Sequence, residues 1–459
     1  MGLEIMKKII SSVGVKFSSQ AYRTSLIAFL LLLISLSCGI ATGCNTTEPP
    51  VKNNGTLTLS LTDVSCTEAW VNLKTQSISF PAQINFLLEG KALKNISLTT
   101  SDTTVYIDSL QPNKTYTLQA SAGTGNQLSG IQSNKLSITT LDTTSNNFTW
   151  QTFTFGDPTA GSSHLSDVAI INENNIWAVG EIYMNDSTGK PDPNAYNTVH
   201  WDGSKWKLMR IEFYTVCGQT SRTSYPAKAI FAFNENEIWV AMDGDQIAKI
   251  ENGIQTKTMC LPWSFVINKI WGSSSNDFYI VGNSGSIAHY HSGQWSKIQS
   301  GTTTNLNDVW GTNNAAAGSP LILATVSSRY QRGDYKLLSI ADNTAQDFIN
   351  WPYTRLYGLW FNSVRKIYIA GDGAYLYVNN KLSKIDLPTN YFLTRVKSNG
   401  LNDIYISGCC GTLIHFNGMQ WHQIEGIYGN YEGMDAKGNV ITVVGFTGDK
   451  AIITILRRQ

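Results

Sequence analysis

Residues 270–298 read IWGSSSNDFYIVGNSGSIAHYHSGQWSKI, and residues 396–424 read VKSNGLNDIYISGCCGTLIHFNGMQWHQI. The two stretches match without a gap. Each has a glycine twelve residues after its first apolar position (Gly282, Gly408) and a tryptophan thirteen later (Trp295, Trp421). Such self-similarity marks one supersecondary unit, repeated because a single copy cannot bury its own apolar face. Residues 168–180, 230–242 and 359–371 keep the twelve-residue step, Val309 reaches its equivalent at Thr325 through a Gly/Pro-containing insertion, and residues 433–445 supply a seventh copy. Within each copy, β-branched and aromatic runs are bounded by Gly, Asn, Asp and Ser, which is the chemistry of strands and turns. No apolar period of 3.6 is sustained, so helix is not the repeating element.

A period near forty residues with three or four short strands is that of a β-propeller blade. Trp206, Trp295 and Trp421 each open a last strand, with an apolar residue three further on (Met209, Ile298, Ile424). The seventh copy stops after its third strand, residues 451–456, and the missing fourth is found ahead of the first copy, in NFTWQTFTF around Trp150 and Phe153. Pairing the two would leave no open edge. The expectation is an all-β chain whose residues 148–459 form a seven-bladed propeller closed by an N-terminal strand.

Residues 1–43 combine a basic start (Lys7, Lys8, Lys16, Arg23) with the apolar run LIAFLLLLISLSCGI and small residues after it, which suits an export signal better than a membrane span. Ala41-Thr42-Gly43-Cys44 resembles a bacterial lipobox, with Ala41 in place of the usual leucine. That resemblance implies acylation at Cys44, a tether over residues 44–55 and anchorage in the cell envelope, at the outer membrane or cell surface rather than the cytoplasmic membrane. Strand-length runs over residues 56–141 suit a small β-sandwich. Within them YIDSLQPNKTYTLQA resembles the E to F corner of fibronectin type III domains. The resemblance matches Leu110, Pro112 and Tyr116 to that family's leucine, proline and corner tyrosine, and Trp70 to its strand-B tryptophan. It implies a spacer or adhesion module.

Charged residues make up 15% of the chain, against an average of about 25%, and formal net charge is +1. Lys and Arg are scattered rather than gathered in a stripe, which argues against nucleic acid as a partner. Cys217 and Cys260 fall just outside the last strands of neighbouring blades; separate thiols are expected, with a bridge as the alternative in an oxidising compartment. Cys409 and Cys410 are expected to pack in the interior. His200, His289 and His415 recur at one repeat position and read as structural. The Asp186–Asp192 loop lacks EF-hand spacing, and neither metal nor cofactor is expected.

The turns resemble the Asp-box of sialidases without reproducing its Ser-x-Asp-x-Gly pattern, and no catalytic residue is assigned. The whole chain resembles bacterial exported propeller proteins with WG…ND-(W/Y)-x-V-G…G-x-W repeats, which implies the fold rather than a reaction. Long, variable loops join strands two to three and four to the next blade, so binding is expected on that face. It gathers Tyr183, Tyr196, Tyr214, Trp263, Trp351, Tyr353, Tyr391, Tyr428 and Tyr431, of which about half are expected to fill gaps between blades, together with Arg329 and Arg332. The expected function is non-enzymatic capture of glycan or protein by a lipid-anchored lipoprotein. The alternative is a carbohydrate-active enzyme, a glycosidase or glycosyl transferase, using Arg329, Arg332 and Asp334 on the same face.

Overall fold

Residues 55–122, 130–312, 320–330, 333–341 and 343–459 are described by the computed structural model, and every regular element among them is a β-strand. The export segment, Cys44 and Arg332 lie outside the described residues.

The first seven strands are β1 (Thr56–Val64), β2 (Ala69–Gln76), β3 (Ala82–Leu88), β4 (Lys91–Leu98), β5 (Asp102–Ile107), β6 (Thr115–Ala122) and β7 (Leu136–Thr139). They form two sheets, of order β1-β2-β5 and β4-β3-β6-β7. Period-two alternation sends Leu57, Leu59, Val71, Leu73, Ile84, Phe86 and Leu118 into one shared core between the sheets. At the corner before β6 the Tyr116 hydroxyl accepts the Gln111 amide at 2.9 Å. Trp70 departs from its sequence match. Ala69, Val71 and Leu73 take the core face of β2, so Trp70 emerges on the outer face, buried against Tyr106 and the Lys366 ammonium of the following domain.

Among the described residues the rest of the chain makes antiparallel four-strand runs, units I (164–209), II (227–260), III (267–299), IV (306–349), V (356–385), VI (393–423) and VII (430–458), with III and IV joined into one eight-stranded sheet by a single parallel pair, Gln299↔Thr344. Unit VII takes its outermost strand from β8 (Phe148–Phe155), which pairs with the last strand in unbroken register from Ala451↔Phe155 to Arg458↔Phe148. The innermost strands touch in a closed cycle, I to II through VII and back to I, and this is the geometry of a β-propeller. Apolar clusters between successive units hold the ring together; Trp177 and Val179 of unit I, for example, pack on Ile230, Val240 and Ile250 of unit II.

Every innermost strand carries a β-bulge near its start, with extra residues Ser166, Lys228, Asn268, Asn307, Tyr357, Thr394 and Glu432. The repeat glycine explains how five of them fit. A Cβ at Gly180, Gly282, Gly371, Gly408 or Gly445 would lie 1.8 to 2.3 Å from a backbone oxygen at the bulged end of the inner strand. Only a residue without a side chain lets the two backbones approach so closely.

The sandwich and the linker after it rest on the short-turn face of units V and VI. Glu68 accepts the Lys366 ammonium at 2.5 Å, the Ser65 hydroxyl at 2.7 Å and the Tyr106 hydroxyl at 2.8 Å. Thr144 bonds Asn402 and Asn417, and Asn146 bonds His415. Two cysteine expectations are corrected. Cys217 and Cys260 are bridged, because the insertion carrying Cys217 folds as a small hairpin (Phe213–Tyr214 with Arg222–Thr223) over the end of unit II. Cys410 is exposed and Cys409 half-buried, since they form the turn between two strands of unit VI rather than packing inside it.

Candidate functional site

The bulges place side chains around the ring axis. Six of the seven bulge residues, Thr394 being the exception, line a cavity of about 640 Å³ that opens on the long-loop face, away from the sandwich. Asn283, Asn305, Arg329, Tyr330 and Arg395 complete much of the wall. Below the mouth the inner strands present two further layers at period two.

The first of these is ionic. Lys269 of unit III holds both carboxylate oxygens of Asp167 in unit I at 2.7 Å, reaching past the intervening unit II. Asp167 also accepts the Ile230 amide of the next unit, as Asp308 accepts that of Leu359 and Asp435, one layer down, that of Ile170. These acids therefore stitch neighbouring inner strands while meeting the axis charge. The deeper layer is an aromatic plug of Phe231, Trp271, Trp310 and Trp360 from units II to V, with Lys397 of unit VI standing 3.9 Å over the Trp310 ring. Burial, and then repulsion by Lys269, push Lys397 down to about 8. Burial raises the Asp435 carboxyl.

Arg395 is the floor of the cavity. It is 6% exposed, its Nη1 donates to the Thr394 carbonyl at 2.9 Å, and its Nε is buried without a hydrogen-bond partner. Burial opposes its charge, but the Asp308 and Asp167 carboxylates outweigh burial and keep the guanidinium protonated. An unpaired N–H on a buried cation costs about 1–3 kcal/mol.

The rim is rigidly partnered. Arg329 pairs with Glu432 at 2.7 Å and lies over Phe392, while Arg355 pairs with Asp372 at 2.7 Å and donates to the Arg329 carbonyl at 2.7 Å. Burial, then the neighbouring Lys228, lower His164, so its imidazole is neutral near pH 7. Asn268 donates to Asn283 and the Leu306 carbonyl, and Asn307 to Ser327. Of the two lining carboxylates, Glu432 and Asp243, the first is committed to Arg329.

Arg329 is the sequence-predicted residue that lies in this cavity. Asp334 sits in a separate groove beside Ser284 and Gly285, accepting the Thr302 hydroxyl at 2.6 Å, so it shares no pocket with Arg329. The aromatic residues are spread across the face. Tyr391 and Tyr428 are exposed. Tyr196 lies under Arg210, Tyr214 under Arg222, and Tyr183 bonds Glu181. Trp263 and Tyr353 pack against inter-blade clusters. Trp351 is buried and Tyr431 wholly so, because both seal gaps between blades, and neither is offered to a ligand.

Sequence reasoning missed Lys228, Tyr357 and Arg395. The available signal was the set of charged residues within otherwise apolar first strands, Arg395 and Lys397 alternating in LTRVKSNG and Asp167, Lys269, Asp308 and Asp435 at matching places in other units.

No protein-family model matches the chain, and no curated protein sequence matches it. Among solved structures it is similar to YCF48 bound to D1 peptide, at 14% identity, covering 69% of this chain and 99% of that one with a TM-score of 0.47. It is also similar to the WD40 β-propeller domain of Doa1, at 10% identity, covering 69% and 98% with a TM-score of 0.44.

Proposed function

We propose that the chain is an envelope lipoprotein, anchored through acylated Cys44, in which a fibronectin type III-like spacer (56–141) carries a seven-bladed propeller (148–459) that captures a protein partner without turnover. The observation that carries this reading is the axial cavity on the face opposite the sandwich, lined by the cations Arg395, Arg329 and Lys228 and by two carboxylates, one of which is committed to Arg329. An acidic side chain or chain terminus of a partner, inserted along the axis, meets this excess of positive charge. Exposed Tyr330 in the cavity wall, with exposed Tyr391 and Tyr428 on the loops that follow units V and VI, offers apolar area with a polar end to the flanking segment.

Glycan is the second reading, favoured by the amides of Asn268, Asn283, Asn305 and Asn307 grouped on one wall. A panel of acidic and neutral peptides and of polysaccharides, assayed for binding and product in the same wells, separates the two. Saturable binding of acidic peptides, lost in Arg395→Met and kept in Ser339→Ala, supports protein capture. Binding confined to glycans transfers the role to the amide wall, and cleavage or transfer of sugar sinks capture altogether. Labelled palmitate incorporated by the wild type and not by Cys44→Ala tests the anchor.

A further inference from the structure

In three units the residue opening the second strand pairs with a histidine on the third: Asn175 with His200 at 2.9 Å, Asp277 with His289 at 2.7 Å and Asp403 with His415 at 2.9 Å. Each imidazole stacks on the second-strand aromatic, Trp177 at 4.1 Å, Tyr279 at 4.0 Å and Tyr405 at 4.7 Å. This recurrence is structural, since it ties two strands together in each unit. Unit III departs from it by a second histidine. His291 is two residues beyond His289 and so on the same face of the strand. Its Nδ1 lies 3.5 Å from the same Asp277 oxygen.

The other two copies are closed. In unit I the acid is replaced by Asn175, and Asp202, which stands where His291 does, is spent on its own turn, accepting the Ser204 hydroxyl and the Ser204 and Lys205 amides. In unit VI that place belongs to Asn417, His415 is fully buried under Thr144 and Asn146, and Arg458 occupies Asp403 at 2.5 Å. Unit III has a carboxylate, two imidazoles and an open side, with His291 65% exposed.

We propose that Asp277, His289 and His291 bind zinc(II). Their donor atoms all lie within 4.8 Å of one another. Tetrahedral zinc with bonds of about 2.0–2.1 Å holds its ligand atoms about 3.3 Å apart, so closure needs a swing of His291 on the order of 1 Å. Two imidazoles and a carboxylate are a borderline donor set that suits zinc rather than calcium or magnesium. On binding, the hydrogen between His289 Nε2 and Asp277 leaves as a proton to solvent, and zinc takes its place between the nitrogen and the carboxylate oxygen, with Nδ1 carrying the ring's N–H. The fourth position is left for water or a ligand from a partner. Asp277 is also held from behind by the Ser273 hydroxyl at 2.9 Å, and stacking on Tyr279 fixes the His289 ring. Two of the three ligands are therefore positioned before the metal arrives.

The test is zinc titration by calorimetry of the full chain in detergent, in a Cys409→Ser/Cys410→Ser background so that thiolate binding does not contribute, with cobalt(II) absorption as a second readout. A single zinc per chain with micromolar affinity is expected, weakened about tenfold or more by His291→Ala and by Asp277→Asn, and unchanged by His200→Ala. The tetrahedral cobalt band should vanish with His291→Ala, an exposed substitution that leaves the fold intact. Equal zinc uptake by wild type and His291→Ala, or none by the wild type at millimolar zinc, overturns the site.

Discussion

Replacing Lys397 by methionine removes an ammonium from the deepest layer of the ring, where it stands 3.9 Å over Trp310, and leaves a side chain of similar length. Burial and Lys269 disfavour the charge; Asp308, Asp435 and Asp167 favour it, and the outcome is a lysine lowered from 10.5 to about 8. A lysine depressed in the folded state costs stability wherever the unfolded chain is protonated. The cost is full below pH 8, shrinks as pH rises and disappears above 10.5. At about 1.36 kcal/mol per unit it amounts to about 3 kcal/mol, from which the lost cation–π contact subtracts about 1 kcal/mol. Lys397→Met should therefore be more stable than the wild type by about 2 kcal/mol at pH 7, the two converging near pH 10.5. Urea unfolding followed by tryptophan fluorescence at several pH values between 7 and 10.5 measures the difference directly. A difference independent of pH, or a variant less stable at pH 7, would show that Trp310 and the acids fully compensate the ammonium, and would refute the reasoning.

Glu68→Gln leaves Lys366 buried opposite a neutral amide, and breaking such a pair costs about 3–5 kcal/mol; limited proteolysis should then cut the 142–147 linker faster than in the wild type. Burial works against the Glu68 carboxylate, but Lys366, Ser65 and Tyr106 hold its pKa below the ordinary value. That contribution to docking is thus complete above the ordinary carboxylate range and is lost as pH falls through the lowered value, so acid should mimic the variant. Reducing Cys217–Cys260, separated by 43 residues, should cost about 2–4 kcal/mol, and reductant should have no effect on the melting of Cys217→Ser/Cys260→Ser. Trp351→Ala should lower stability by about 3–5 kcal/mol as a cavity in a packed cluster, whereas Tyr428→Ala should change it by less than about 0.5 kcal/mol; denaturation midpoints distinguish the two.

The repeat was legible because its constraints are local and periodic. Strand runs, tight turns and the twelve-residue glycine step each answer a need met afresh in every unit, and the placement of Trp150 ahead of the first copy exposed the closing strand. The pairing of Cys217 with Cys260 was hidden because it depends on how an irregular insertion folds back, which no period encodes. Trp70 misled for a different reason. Its residue type matched a core position, but its neighbours Ala69 and Val71 own the core face of β2, and the interface that buries Trp70 belongs to a domain almost 300 residues further on. Aromatic loop residues such as Trp351 and Tyr431 look alike in sequence whether they meet solvent or seal a gap.

The axial residues were the hardest to read, and the bulge is the reason. A regular strand assigns each residue to one face by counting in twos, so a polar residue amid apolar ones reads as an outward side chain. The extra residue of a bulge breaks the count, and Lys228, Asn268, Tyr357 and Glu432 are turned to the axis at positions where alternation alone would not place them. It also frees them from the packing that the repeat imposes. Core residues of each unit must match the neighbouring unit, and they stay aliphatic or aromatic; six of the seven bulge residues touch the cavity instead, and they range from serine and asparagine to lysine, tyrosine and glutamate. The ring thus confines variation to a circle of side chains around one axis. For the same reason a substitution at Tyr357 or Lys228 should change the lining of the mouth while leaving the inter-blade clusters, and with them the unfolding midpoint, undisturbed.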